Sequence, residues 1–342
     1  MFRALRIQDT GGEKNGQESH DAILAQNAGT MKLWSNKDLL SGKNGTLSLI
    51  SIVLLAILVT PTRIFLDPGN LTDILRQVSV TGIIALAMTF VILTAGIDLS
   101  VGSTLALATS VVAMELVKPN ANIAIAILVA LVASAAVGAI NGTCVALLKI
   151  QPFVVTLATM IGIRGLAKWL TGNANIDIGF GQDTAARFAE MFRTKAVVIG
   201  AWIVLSIVFW MLLQRTVFGR HVRAVGDNEH AALYAGLPIR GVKIWVYTLA
   251  GLLSGVAGVL YAAENHQGNP NAGVAYELDA IAAVVIGGTK LSGGSGSIGG
   301  TIVGTLTIGV LTNMLRLNNV DSNVEMMLKA LIIVLAVTLQ KR

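Results

Sequence analysis

From residue 47 to residue 340 the chain is a succession of apolar stretches, several of them as long as a bilayer is thick. A hydrocarbon core of roughly 30 Å takes about 20 helical residues to cross. The stretches lie near residues 47–66, 78–96, 100–117, 122–147, 153–172, 196–214, 242–263, 277–290, 296–315 and 324–340. Inside lipid, backbone polar groups must pair within the protein, which leaves helices or closed barrels. Gly is 36 of 342 residues and aromatics are 5%, which suits close helix contacts and lacks the aromatic girdles of a barrel. Charged residues are only 13%, about half the share in soluble domains. Such a chain cannot coat a water-facing surface of its own size, which excludes an ordinary soluble enzyme and a disordered protein. The expected fold class is all-α, a polytopic transmembrane bundle of about ten spans. The stretch 277–290 is short and bounded by glycines, as a broken or half-spanning helix is.

Residues 1–45 form the one long polar stretch and lack the apolar core and cleavage site of a signal peptide. They are expected to be a poorly ordered cytoplasmic tail, followed by a transmembrane domain over 46–342. Lys and Arg set orientation. With the N-terminus inside and ten crossings, fifteen Lys and Arg fall inside and seven outside, so both termini are expected in the cytoplasm. The formal net charge of +6 is scattered along the chain and gives no nucleic-acid patch. The lone Cys144 excludes an intrachain disulfide and a cysteine cluster. His20, His221, His230 and His266 have no metal-ligand spacing, and no Ser/His/Asp set sits in a nucleophile elbow. No catalytic residue and no metal site are expected.

The largest inside loop, 215–241, carries its own helix signals. Asp227 or Asn228 can cap an N-terminus, with Glu229 in the first turn beside the positive end of the dipole. Gly236 can end the helix and Pro238 prevents its continuation. Between them lies a run with small residues at Ala231, Ala232 and Ala235. A helix of this kind either docks in a partner's groove or lies on lipid headgroups.

The loop resembles the coupling loop of bacterial ABC-importer permeases of the ribose/galactose/xylose/arabinose branch. The resemblance rests on Thr216, Phe218, Gly219, Arg220, Ala224, Gly226, Asn228, Ala231, Ala232 and Gly236. Further blocks follow in order along the chain: 96–102, Asn141-Gly142, 156–160 with 164–167, 276–283, and Gly287-Gly288 through 299–301. It covers about residues 45–342. Asp227 departs from the pattern, as do Leu233 and Tyr234. The resemblance implies the larger-bundle type of ABC-importer permease in the bacterial inner membrane, moving a monosaccharide or similar polyol. It implies Phe218, Gly219, Arg220, Gly226, Asn228, Glu229, Ala231, Ala232 and Gly236 as residues that couple the chain to an ATPase. It implies as partners a cytoplasmic ABC ATPase or tandem ATPase, a periplasmic sugar-binding protein and a second permease copy, identical or different. No cofactor is expected on this chain, with ATP and Mg on the ATPase. The alternative is a stand-alone secondary transporter or channel, which calls for a buried carboxylate or pair near mid-membrane; none is evident in the spans.

The run Gly287–Gly300 lacks the Lys-Ser or Lys-Thr of a phosphate loop and reads as a tight hairpin. Gly296, Gly300 and Gly304, like Gly251 and Gly255, recur every four residues and leave one helix side bare for a neighbour. Asp98 reads as a helix cap or as part of a gate. Glu277 and Asp279 begin the short eighth span as possible caps. Arg164, with Lys168 one turn on, either meets a sugar or snorkels to the interface. Asn141, Thr156 and Thr159 suit a tunnel wall for a neutral polyol and serve equally as interhelical hydrogen-bond donors. Few polar side chains lie within the spans, so any sugar site in the membrane part is expected to be weak.

Overall fold

The computed structural model describes residues 46, 49–60, 62–178, 183–321 and 323–331. The expected tail over 1–45 and the end of the tenth stretch lie outside the described residues. The described chain is helical except for one two-residue strand pair. In order it runs α1 (Leu49–Val59), α2 (Thr62–Phe65), α3 (Pro68–Leu93), α4 (Val101–Leu116), α5 (Ile123–Leu147) and α6 (Pro152–Leu170). Then come β1 (Ile176–Asp177), α7 (Thr184–Phe192), α8 (Lys195–Arg215), α9 (Val217–Asp227), α10 (Glu229–Tyr234), α11 (Ile239–Asn265), β2 (Gln267–Gly268), α12 (Tyr276–Ile286) and α13 (Ile298–Leu317). Residues 323–331 are helical and are labelled α14.

Among the described residues six helices are long and apolar enough to cross a membrane: α3, α5, α6, α8, α11 and α13. The helices α1 and α4 are apolar but shorter. The chain is therefore a polytopic helical membrane protein. The second span begins at Pro68, ten residues before the expected start. Asp67 accepts hydrogen bonds from the Gly69 and Asn70 amides, and Pro68 sits at the first helical position, where its missing N–H costs nothing. The polar segment 69–77 is thus helical despite its composition.

Two kinds of helix surface follow from burial. The second half of α3 is enclosed by neighbours, with Ile83, Leu86, Phe90 and Leu93 fully buried. By contrast α5, α6 and α8 turn Leu128, Val132, Ile161, Ile203 and Val204 outward, apolar area that suits lipid or another membrane chain. The core is closed by backbone-to-backbone approach. A Cβ at Gly251 would strike the Ser134 carbonyl of α5, and one at Gly138 would strike the Tyr247 carbonyl of α11. At Gly255 the Ser134 side chain lies 2.8 Å from where a Cβ would sit. Gly300 and Gly304 pack likewise on the Gly287 and Ala283 carbonyls, and Gly296 on Thr289, so α12 and α13 lie side by side.

The segment between α6 and α8 is more structured than a plain loop. Ile176 and Asp177 pair antiparallel with Gly268 and Gln267. The amphipathic α7 buries Ala185, Ala186, Phe188 and Ala189, and Phe188 joins a cluster with Ala113 of α4, Ala126 of α5 and Ala262 of α11. These elements cap one end of the bundle. The opposite end carries α9 and α10.

Candidate functional site

At the α9–α10 end three connections meet. Thr216 caps α9 by accepting from the Gly219 amide at 3.2 Å. Phe218 stacks on Phe90 of α3, their centroids 6.2 Å apart. A Cβ on Gly219 would strike the Leu213 carbonyl, and one on Gly226 would strike the Leu93 carbonyl. That same Leu93 oxygen accepts the Gly294 amide at 3.0 Å. The hairpin after α3, the C-terminus of α9 and the 287–297 hairpin are thereby locked together. Segments 96–103 and 288–295, identical at five of eight positions, belong to these two connections.

The short α10 follows directly on α9 and packs against α9 and α11. Asn228 accepts from the Ala231 amide at 2.9 Å, an N-cap. At the other end the Leu237 amide donates to the Ala232 carbonyl and the Gly236 amide to the Leu233 carbonyl, with Gly236 at φ +76°. These two bonds form a Schellman motif, which places glycine where a Cβ is strained. Glu229 does more than meet the helix dipole: its carboxylate takes the Lys243 ammonium of α11 at 2.7 Å. Ala232 is 4% exposed and packs into the chain's own core. It therefore cannot be the surface that seats in a partner, as the sequence suggested. The outward face carries Ala231, Leu233 and Tyr234, with Tyr234 90% exposed. Arg220 is also exposed.

Four residues expected along a pathway come together. Asp98, in the α3–α4 connection, accepts the Ser100 amide at 2.9 Å and the Ser100 hydroxyl at 2.6 Å. Burial pushes its carboxyl up to about 6, although both Ser100 bonds act the other way. Ser100 Oγ in turn accepts from Asn141 Nδ2 of α5 at 2.9 Å, and Asn141 Oδ1 from Thr159 of α6 at 2.6 Å. Thr156 donates to the Ile97 carbonyl at 3.2 Å. This chain of bonds ties three helices at the α10 end. Arg164 lies elsewhere, half-buried, its guanidinium donating to the Pro270 and Ala272 carbonyls in the loop before α12.

The structure corrects the charge inventory. Asp279 does not cap α12, whose N-cap residue is Ala275 in the left-handed conformation. It pairs instead with Lys329 of α14 at 3.3 Å. Lys329 also meets the buried Glu325 at 3.0 Å, and Glu325 meets Arg316 of α13 at 3.4 Å. Asp279 and Glu325, in the first turns of α12 and α14, are therefore each beside a cation. Nearby Arg76 pairs with Glu264 at 2.7 Å, and Lys195 with Asp73 at 2.9 Å. These pairs join residues up to 188 positions apart, so spacing within one helix gave no sign of most of them. The i,i+4 pair Glu325–Lys329 was the one readable signal.

A long apolar helical bundle, with an exposed capped helix and two interlocked hairpins at one end, is the frame of a membrane transport component. The family described as branched-chain amino acid transport system, permease component, matches residues 70–337. The ribose import permease protein RbsC of Escherichia coli K12 is 43% identical over 86% of this chain and 93% of its own. RbsC of Bacillus subtilis is 42% identical over 86% and 91%. The L-arabinose ABC transporter permease protein AraH of Azospirillum brasilense is 36% identical over 98% and 96%. No solved structure matches. The chain belongs to this permease family and is a multi-pass membrane subunit of the ABC type.

Proposed function

We propose that the chain is the membrane subunit of an ATP-driven importer for a monosaccharide or similar polyol in the bacterial inner membrane. The observation that carries this reading is the capped, outward-facing α10, held between α9 and α11, in a chain similar along nearly its whole length to ribose and arabinose permeases. ATP and Mg belong to a cytoplasmic ATPase that grips α10. A periplasmic binding protein delivers the sugar to the β1–β2–α7 end, and a second permease copy covers part of the apolar face of α5, α6 and α8. The bundle has about ten spans, the short α1, α4, α12 and α14 completing the six long ones, with both termini cytoplasmic. Among the described residues the α10 end holds Lys149, Arg215, Arg220, Arg223, Arg240, Lys243 and Lys290, no more Lys and Arg than the opposite end, so this orientation rests on the terminal segments, with Lys32 and Arg342 among their charges.

The enclosed carboxylates keep an ion-coupled transporter in view. Asp279 and Glu325 are each already beside a Lys or Arg, however, and Asp98 is held by both Ser100 bonds at the α10 end, away from mid-bundle. Purification from native membranes through a tag on this chain tests the proposal. An ABC ATPase and a receptor-dependent uptake of ribose, arabinose, allose or fructose are expected. A pure chain that moves a sugar down an ion gradient would contradict it.

A further inference from the structure

At the end of the bundle opposite α10, a cavity of about 80 Å³ opens between α3, α12, α13 and α14. Its polar lining includes Gln77, Tyr276, Asp279, Thr312, Arg316 and Lys329. That is room for several waters, or for one face of a small hydroxylated ring. Thr312 is 4% exposed, and its hydroxyl has no hydrogen-bond partner among the described residues. A buried hydroxyl left unpaired is costly, and here it lies on the cavity wall. The charged groups at the wall are satisfied differently. Lys329 bridges Asp279 and Glu325, and Arg316 holds Glu325 from the other side, so two anions and two cations balance.

We infer that this cavity is a transient contact site for a neutral polyhydroxylated ligand, a monosaccharide, on its way into the bundle. A balanced cluster does not call for a counter-charge, so it disfavours sugar phosphates and free cations. It still presents carboxylate acceptors and ammonium or guanidinium donors at close quarters, which match hydroxyls that both donate and accept. The Thr312 and Tyr276 hydroxyls add two more partners of that kind. Val78, Ala283 and Ile308 also line the cavity, apolar surface that suits the C–H face of a sugar ring. One unpaired hydroxyl and a small volume make a weak site, as a site that must release its ligand inward requires.

This inference rests on the sugar-importer reading above. The test uses the complete importer in proteoliposomes, with its receptor and ATPase, and radiolabelled ribose as the probe. Thr312→Val keeps the shape and removes the hydroxyl, and should lower uptake roughly five- to tenfold. Thr312→Ser should restore most of it, and Tyr276→Phe should give a second, smaller loss. Uptake by Thr312→Val equal to that of the native chain would overturn the inference. An equal loss in the Val and Ser variants would assign Thr312 to packing and overturn it as well. If the native importer carries leucine and no sugar, the importer reading itself falls, and this one with it.

Discussion

At Gly226 a single missing side chain decides whether the elements at the α10 end can meet. Its backbone lies against the Leu93 carbonyl and 2.7 Å separates a would-be Cβ from the Gly294 amide nitrogen. Both neighbours are backbone and cannot swing aside. Gly226→Val should therefore push α9 off the α3 hairpin and destabilise the protein by about 1–3 kcal/mol, read as a lower melting temperature in detergent. Gly236 is constrained differently. Space around it is open, but its φ of +76° is strained for any side chain. Gly236→Val should cost about 1–2 kcal/mol locally and loosen α10, without the wider damage of the Gly226 change. Equal melting temperatures for the two variants would contradict this difference. Asn228 and Gly236 were legible in the sequence because caps are local chemistry. Gly226 was legible only as part of a resembling pattern, since its clash partners lie at residues 93 and 294.

Helix α10 is six residues long and stands only because both ends are satisfied and Glu229 is tied to Lys243. Its alanines gave no clue to which side faces inward, because Ala231 and Ala232 are the same residue type on different faces. The structure turns Ala232 in and leaves Leu233 and Tyr234 out. Ala232→Glu should accordingly damage this chain's own packing. Leu233→Glu and Tyr234→Glu are the cleaner probes of docking. Each should leave the purified chain folded and monodisperse while weakening ATPase association, since a charge buried unpaired at an interface costs about 3–5 kcal/mol. Undiminished co-purification of the ATPase with both variants would favour a helix that lies on headgroups. The strand pair at the other end illustrates what sequence does not carry. Two residues at 176 and two at 267 make no pattern until the chain brings them together. The start of α3 was hidden for the opposite reason, a helix with polar first turns and an Asp-Pro entry.

For the whole molecule, the apolar spans were readable because lipid allows so few solutions for a buried backbone. The membrane class, the loop and the glycine contacts all follow from that. The polar cavity did not, because its charges come from α12, α13 and α14 and meet only after folding. Orientation depends heavily on Lys and Arg in the two terminal segments, such as Lys32 and Arg342. Reporter fusions at residue 342 and within 175–192 should report opposite sides of the membrane, with 342 cytoplasmic. A periplasmic residue 342 would break the ten-span arrangement.

The account stands on an importer whose energy enters from a separate ATPase through α10. Proteoliposomes offer the direct measurement: ribose uptake by this chain alone, and by this chain with its ATPase and receptor, under ATP or under an imposed proton or sodium gradient. The account predicts uptake only in the complete assembly and only with ATP, and no ATP hydrolysis by the chain alone. Gradient-driven uptake by the chain alone, with ATP making no difference, would contradict it.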